Sequence, residues 1–420
     1  MWPLILLVLG AFIADRYIRG KALGDADMLA FGAILYIVLP FIAFDNEWLF
    51  EMPGVESWRD LFGAAEHRSF QIAGLSLGLA IVYQLGRIAA IVTSTRIGST
   101  MNRPLSKSMQ ALVAVGLWSI WLLTALPNRE SFFQGYLIDY DTGLMGTLAT
   151  INLIALATVL GCRQYRLKGV PYGALRLLLL INSIALLSLG GRLYVVIPVI
   201  ALMLQSLADT KPTASRLRGA VGFLFIVIAL LVVGALRIDE ALSAEFLAYI
   251  GLAEGLFTSM SLGSFVNYNG IPILSTPENF FGSIVNFIPS TLIADKAALV
   301  PTIQDSGRFF ESPLGATHIL VALLGNFGWL GALFFACAFG WFMASVRQVA
   351  PRGWWLYFYL CSLLPFMLFR DGFAIFNKAA IWNGCILMWF IFTFDRMMAL
   401  RPASRPRRAR NPCTHALIEG

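Results

Sequence analysis

Only three histidines occur in this 420-residue chain. One of them, His318, stands where a polar stretch runs into a long apolar one, in SPLGATHILVALLGNFGWLG (residues 312–331). An imidazole titrates ordinarily near pH ~6.5 and exchanges protons at neutral pH. His318 is therefore a candidate general base, with Glu311 as its orienting partner or as the alternative base. Asp305, Glu278 and Glu254 are further carboxylates earlier in the same stretch. Four arginines stand beside apolar segments. They are Arg192 in LSLGGRLYVVIPVI, Arg237 at the end of an apolar run, Arg308 in DSGRFFESPLG, and Arg370, next to Asp371, in LLPFMLFRDGFAIFNK. A guanidinium is a planar fork that grips phosphate oxygens two at a time. Arginines that hold a diphosphate, with a base that deprotonates a hydroxyl, suit glycosyl transfer from a diphosphate-linked donor. The plainer reading makes each arginine an interfacial anchor and His318 a satisfied structural residue.

These residues need elements to hold them. Hydrophobic residues make up 58% of the chain and charged ones 13%, with a mean hydropathy of +0.74. Ordinary soluble domains are about 45–50% apolar and about 25% charged. The excess lies in continuous runs such as GFLFIVIALLVVGAL, not in the alternating segments of about ten residues that a membrane barrel needs. A spanning helix takes about 20 apolar residues. The expected fold is all-α, a polytopic transmembrane bundle of about 11 spans. They are placed near residues 2–14, 27–44, 69–92, 109–126, 144–161, 173–190, 193–207, 219–236, 317–345, 354–369 and 377–394. The chain thus divides into spans over 1–236, a large external loop over 237–316 with short helices, further spans over 317–394, and a disordered basic tail over 395–420. DRYIRGK follows the first apolar run directly, without a small-residue cleavage pattern, so that run is expected to stay as a helix.

The net charge of +7 points to topology, not to nucleic acid. Twenty lysines and arginines fall in alternate connections and the tail, against nine on the other side. The richer side is cytoplasmic by the positive-inside rule, which puts the N-terminus outside and the C-terminus inside. Cysteines introduced at Asp60, Gly135 and Ser275 are expected to react with an impermeant thiol reagent from outside. Those at Leu105, Ala214 and Arg405 are expected to stay unlabelled, and the reverse pattern would remove any outer-face chemistry. None of the five cysteines forms a C-x-x-C pair, so neither a disulfide framework nor a zinc site is expected. No phosphate-cradling glycine loop is present either.

Three motifs carry a resemblance. GGRLYVVIPV resembles a Gly-Arg turn opening a span, SPLGATHILVALLGNFGWLG a segment that closes a large loop, and FRDGFAIFNKAAIW an arginine-bearing turn between the last two helices. With the layout of many spans and one large loop in the C-terminal half, the chain resembles the bacterial O-antigen polymerases (Wzy-type), which are related to the O-antigen ligases. The resemblance implies joining of oligosaccharide units carried on undecaprenyl diphosphate at the outer face of the inner membrane, with no cofactor or metal. It implies that Arg192, Arg308, Arg370 and Arg237, with Asp371, hold the diphosphate. It also makes His318 the base, since the ligases carry a histidine in the corresponding segment. Membrane lipid, a chain-length regulator and a flippase are the implied partners, and nucleic acid is not. A ligase-type glycosyltransferase and a polytopic transporter or flippase are the alternatives. The transporter would need paired repeats and broken spans in both halves, and no clear repeat is legible.

Overall fold

The computed structural model describes residues 1–48, 55–93, 104–133, 142–209, 213–236, 243–286, 299–312, 315–349 and 355–400. Among these, all regular structure is helical, and the one isolated bridge pairs Thr317 with Asp371. The helices are α1 (Trp2–Ile18), α2 (Asp25–Asp45), α3 (Val55–Glu66), α4 (Ser69–Thr93), α5 (Lys107–Ala125), α6 (Thr142–Gln164) and α7 (Val170–Ser188). They continue with α8 (Arg192–Asp209), α9 (Thr213–Leu236), α10 (Ala244–Asn269), α11 (Glu278–Ile284), α12 (Ile319–Val349), α13 (Trp355–Leu368) and α14 (Gly372–Ala399). A helix satisfies its own backbone hydrogen bonds, which is why such apolar runs can enter hydrocarbon. Eight of the described helices are long and apolar enough to cross a membrane, and α4 and α7 turn large apolar side chains such as Phe70 and Leu180 outward. The chain thus has the helices of a multi-pass membrane protein. Every expected span falls on a helix, but the apolar stretches Arg192–Ala208, Val221–Gly234 and Trp355–Leu368 are shorter than a full crossing.

Two expectations are corrected. Segment 237–316 carries one long helix as well as short elements: α10 has 26 residues and is itself apolar enough for a crossing. It passes in turn over Leu231 of α9 at Gly251, Leu35 of α2 at Gly255, and Leu61 and Phe62 of α3 at Gly263. A Cβ at Gly255 or Gly263 would overlap backbone atoms of the partner helix, so glycine sets the approach. Gly255 and Ser259, one turn apart on α10, meet the adjacent residues Leu35 and Tyr36 of α2. The expected span from 317 to 345 is broken. Gly328 adopts φ 65°, ψ 177°, a conformation open to glycine, and its missing Cβ leaves room for the backbone of Ile273 and Leu274. Beyond the break, Trp329 and Leu330 donate their N–H groups to the carbonyls of Pro272 (2.8 Å) and Ile273 (3.2 Å). These bonds satisfy donors that a helix start leaves orphaned.

The rest of α12 lies along α4. Gly86 and Gly340 each sit on a carbonyl of the opposite helix, Cys337 and Tyr83. A row of phenylalanines, Phe280, Phe327, Phe335 and Phe373, ties α11 to α12 and α14 with ring centroids 4.9–5.8 Å apart. Three helices contain π-helical turns: Ile34–Val38 in α2, Leu364–Leu368 in α13 and Lys378–Ile386 in α14. Such turns re-aim side chains and are frequent at functional sites. The first two flank the residues described next.

Candidate functional site

The turn between α13 and α14 is the centre. Gly372, with φ 64°, lets the chain reverse after Arg370 and Asp371. The Arg370 carbonyl accepts the Thr317 N–H at 2.6 Å, so the start of α12 is clamped to this turn. The Arg370 guanidinium forms two ion pairs. Its Nη1 lies 2.6 Å from Asp371 Oδ1, and its Nε contacts the carboxylate of Glu254 on α10. Asp371 is nearly closed off, at 4% side-chain exposure, whereas Glu254 keeps 39% and faces open space. Tyr194 of α8 lies within electrostatic reach of both Asp371 and Arg370. Arg192, two residues earlier, puts its guanidinium where a side chain on Gly234 would collide with it, beside Ile250 of α10. Ile250 and Glu254 are one helical turn apart on the same face. The structure therefore brings Arg192 and Arg370 to the same face of α10.

His318 lies beside this turn, fully buried at 0% exposure. Its Nε2 is 3.0 Å from the Tyr36 carbonyl, and its Nδ1 accepts the Leu320 N–H at 3.1 Å. A carbonyl only accepts, so Nε2 carries the proton and the ring is a neutral tautomer. Its backbone N–H donates to Ser261 Oγ at 3.0 Å. Position and bonding are those of a helix N-cap: the side chain caps the second residue of α12 and pins the helix to α2. No lone pair is left for a substrate proton, so the base role is not assigned to His318. His318→Ala is expected to leave the Leu320 N–H unpaired and the Tyr36 carbonyl with the Ser259 hydroxyl in place of two donors, at a cost of about 1–3 kcal/mol. His318→Asn, which can both donate and accept, should recover part of that. Thermal melts of the purified variants test this, and an alanine variant as stable as the parent would reject the cap.

The remaining sequence candidates do not converge. The Glu311 N–H donates to Ser264 Oγ at 2.8 Å, and among the described residues its carboxylate meets the Tyr268 hydroxyl, at 3.5 Å. Ser264 and Tyr268 are ten and fourteen residues beyond Glu254 on α10, a rise of about 15–21 Å. Arg308 belongs to this distant region, where it lines a shallow cavity of about 400 Å³ with Ser275, Thr276 and Ser306. The expectation that Arg308 joins Arg192 and Arg370 on one diphosphate is corrected, as is the pairing of Glu311 with His318. Arg237 lies outside the described residues. Sequence reasoning gave Glu254 no role of its own, although it is the one carboxylate within the apolar run AYIGLAEGLFTSM. Tyr36 and Ser261 carried no signal at all.

On the other side of His318 lies an apolar groove of about 670 Å³ between α1, α2, α4 and α12. Ile37, Ile319, Leu368 and Phe369 form its inner wall. These are the chain neighbours of Tyr36, His318 and Arg370. Tyr36 and Phe369 stack at 6.1 Å; Phe369 lines the groove, and Tyr36 lies within electrostatic reach of Arg370 and Glu254. A second buried charge group lies eleven residues from Tyr36 along α2. There Asp25 pairs with Arg87 (3.0 Å) and Asp27 with Arg16 (2.7 Å). No family model matches the chain, and comparison with curated proteins and with solved structures finds no significant similarity.

Proposed function

We propose that the chain is a membrane polysaccharide polymerase that joins undecaprenyl-diphosphate-linked oligosaccharide units at the outer face of the bacterial inner membrane. The observation that supports this reading is the closeness of the apolar groove to the Arg370–Glu254 pair, to which the stacked Phe369 and Tyr36 connect it. An amphiphile with a hydrocarbon tail and a diphosphate head matches the two halves. In this reading the donor diphosphate competes with Glu254 for the Arg370 fork, since both ligands are anionic oxygen pairs. Displaced from Arg370, the half-exposed Glu254 accepts the proton of the incoming sugar hydroxyl. That oxygen bonds to the donor's anomeric carbon as the bond from that carbon to the phosphate oxygen breaks. The departing diphosphate takes the electron pair and is stabilised by Arg370 and Arg192. Asp371 stays paired and keeps Arg370 oriented.

The test is the glycan ladder on a gel from a strain lacking the gene. Loss of a polymerase leaves glycan of one repeat unit. Loss of a ligase leaves none attached, and an unchanged ladder would reject both glycosyl-transfer readings.

A further inference from the structure

We propose that the hydroxyls of Tyr36 and Tyr194 hold an uncharged sugar against Glu254, in a subsite formed by α2, α8, α10 and the turn between α13 and α14. It rests on the proposed glycan-joining function only for the role of that sugar as acceptor. Buried hydroxyls normally find a hydrogen-bond partner. In this bundle the hydroxyls of Tyr83 and Tyr357 donate to Asp25, and that of Tyr359 donates to the Ala379 carbonyl at 2.9 Å. The hydroxyls of Tyr36 and Tyr194 make no hydrogen bond among the described residues. Tyr36 is nevertheless only 2% exposed. Neither of the two oxygens is sealed off, so each can meet a ligand.

Tyr36 is fixed in place. Its carbonyl accepts His318 Nε2 (3.0 Å) and the Ser259 hydroxyl (3.2 Å), and its ring stacks on Phe369, the chain neighbour of Arg370. The Leu35 carbonyl fills the space that a Cβ on Gly255, the neighbour of Glu254, would take. The Tyr36 side chain lies within electrostatic reach of Glu254, Arg370 and Asp371, and that of Tyr194 within reach of Arg370 and Asp371. The two phenols thus address one ion-paired group from α2 and α8, and Glu254, at 39% side-chain exposure, opens it to solvent. Its charges balance, with Arg192 and Arg370 against Glu254 and Asp371. Once a donor head takes the Arg370 fork, the phenols and the Glu254 carboxylate remain for a second ligand. Either state suits a ligand without charge. A phenol can donate to one sugar hydroxyl and accept from another, and a carboxylate accepts from a third. An acidic sugar would set its own carboxylate against Glu254 and Asp371, and a hydrocarbon chain would leave both phenol hydroxyls unpaired.

The full chain, reconstituted in phosphatidylcholine nanodiscs, is titrated with neutral maltotetraose, cellotetraose and chitotetraose and with acidic tetragalacturonate. None of these probes carries lipid or diphosphate. At least one neutral probe is expected to bind, and more tightly than tetragalacturonate. Tyr36→Phe and Tyr194→Phe should each weaken that binding about tenfold, as for one lost hydrogen bond. Both variants keep the ring and lose no protein partner, so they should melt as the parent does. Tyr359→Phe, which does lose a bond, should melt lower. Tyr268→Phe, at the exposed far end of α10, should bind as the parent does. Absence of binding by all the neutral probes, tighter binding of tetragalacturonate, or binding indifferent to the Tyr36 and Tyr194 substitutions would overturn the inference. So would melting of those two variants as low as that of Tyr359→Phe, which would make the hydroxyls structural. Hydroxyl-dependent sugar binding by a protein that never extends lipid-linked units would remove the polymerase and keep the subsite. Chain extension by a protein whose phenylalanine variants bind as the parent does would remove the subsite and keep the polymerase.

Discussion

Arg370→Ala is expected to lower the rate of chain extension by about 10²–10³-fold, the usual loss when one preorganised donor to a developing anion is removed. Arg370 pairs with two carboxylates at once, and one of them, Glu254, keeps 39% side-chain exposure. A guanidinium already oriented by Asp371 needs no reorganisation to receive a diphosphate. Removal also leaves Asp371 buried without its partner, so part of the loss in the alanine variant reflects stability. Arg370→Lys separates the two effects. It keeps the charge and the pairing with Asp371 but loses the planar fork, so the protein should fold while extension remains poor. Glu254→Gln is expected to fall by about 10²–10⁴-fold, as for loss of a general base. Its folding should be normal, because the side chain is half-exposed. Purified protein with lipid-linked repeat units, scored as product ladders over time, measures all three. A folded lysine variant extending chains at nearly the parent rate would refute the diphosphate grip.

Asp25→Ala is expected to destabilise the fold by about 3–5 kcal/mol, the range for breaking a buried pair from one side. Asp25 is 1% exposed and accepts the hydroxyls of Tyr83 (2.5 Å) and Tyr357 (2.7 Å) besides its ion pair with Arg87. One carboxylate thus joins α2, α4 and α13. Without it, a guanidinium and two hydroxyls lose their common acceptor in a setting where water does not replace it. Asp25→Asn should cost less, because the amide oxygen still accepts. The double variant Asp25→Ala with Arg87→Ala should recover part of the loss, because no uncompensated charge remains. Resistance of the purified variants to heat and to denaturing detergent gives the comparison. A single alanine variant as stable as the parent would show that the two hydroxyls and Arg87 find other partners. The effect should also reach the site, because α2 carries Asp25 near one end and Tyr36 eleven residues on, about 17 Å away.

Much of this was legible in the sequence because it follows from local pattern. The apolar runs determine helices, since a backbone in hydrocarbon has few other ways to satisfy itself. The runs around 69–92, 109–126 and 173–190 appear within a few residues of where their composition puts them. The turns at Arg192 and Arg370 were also legible, because Gly-Gly-Arg and Arg-Asp-Gly interrupt otherwise continuous apolar segments. The length of α10 was less clear. Its glycines weaken a helix judged alone, yet Gly255 and Gly263 are what allow it to cross α2 and α3.

Pairing between distant segments was decided only by the tertiary structure. Arg308 and Arg370 are the same residue type beside similar apolar stretches. Only the path of 299–312 along the far end of α10 sends Arg308 away from the other two. His318 shows the same limit most sharply. Its chemistry as a free imidazole suggests a base. Burial and two hydrogen bonds, one to a carbonyl 282 residues away in sequence, make it a cap. Glu254 moved the opposite way, from one acid among several to the partner of Arg370. A side chain's type determines what it can do. Which lone pairs remain open depends on what the fold packs against it, and that information lies in residues far along the chain.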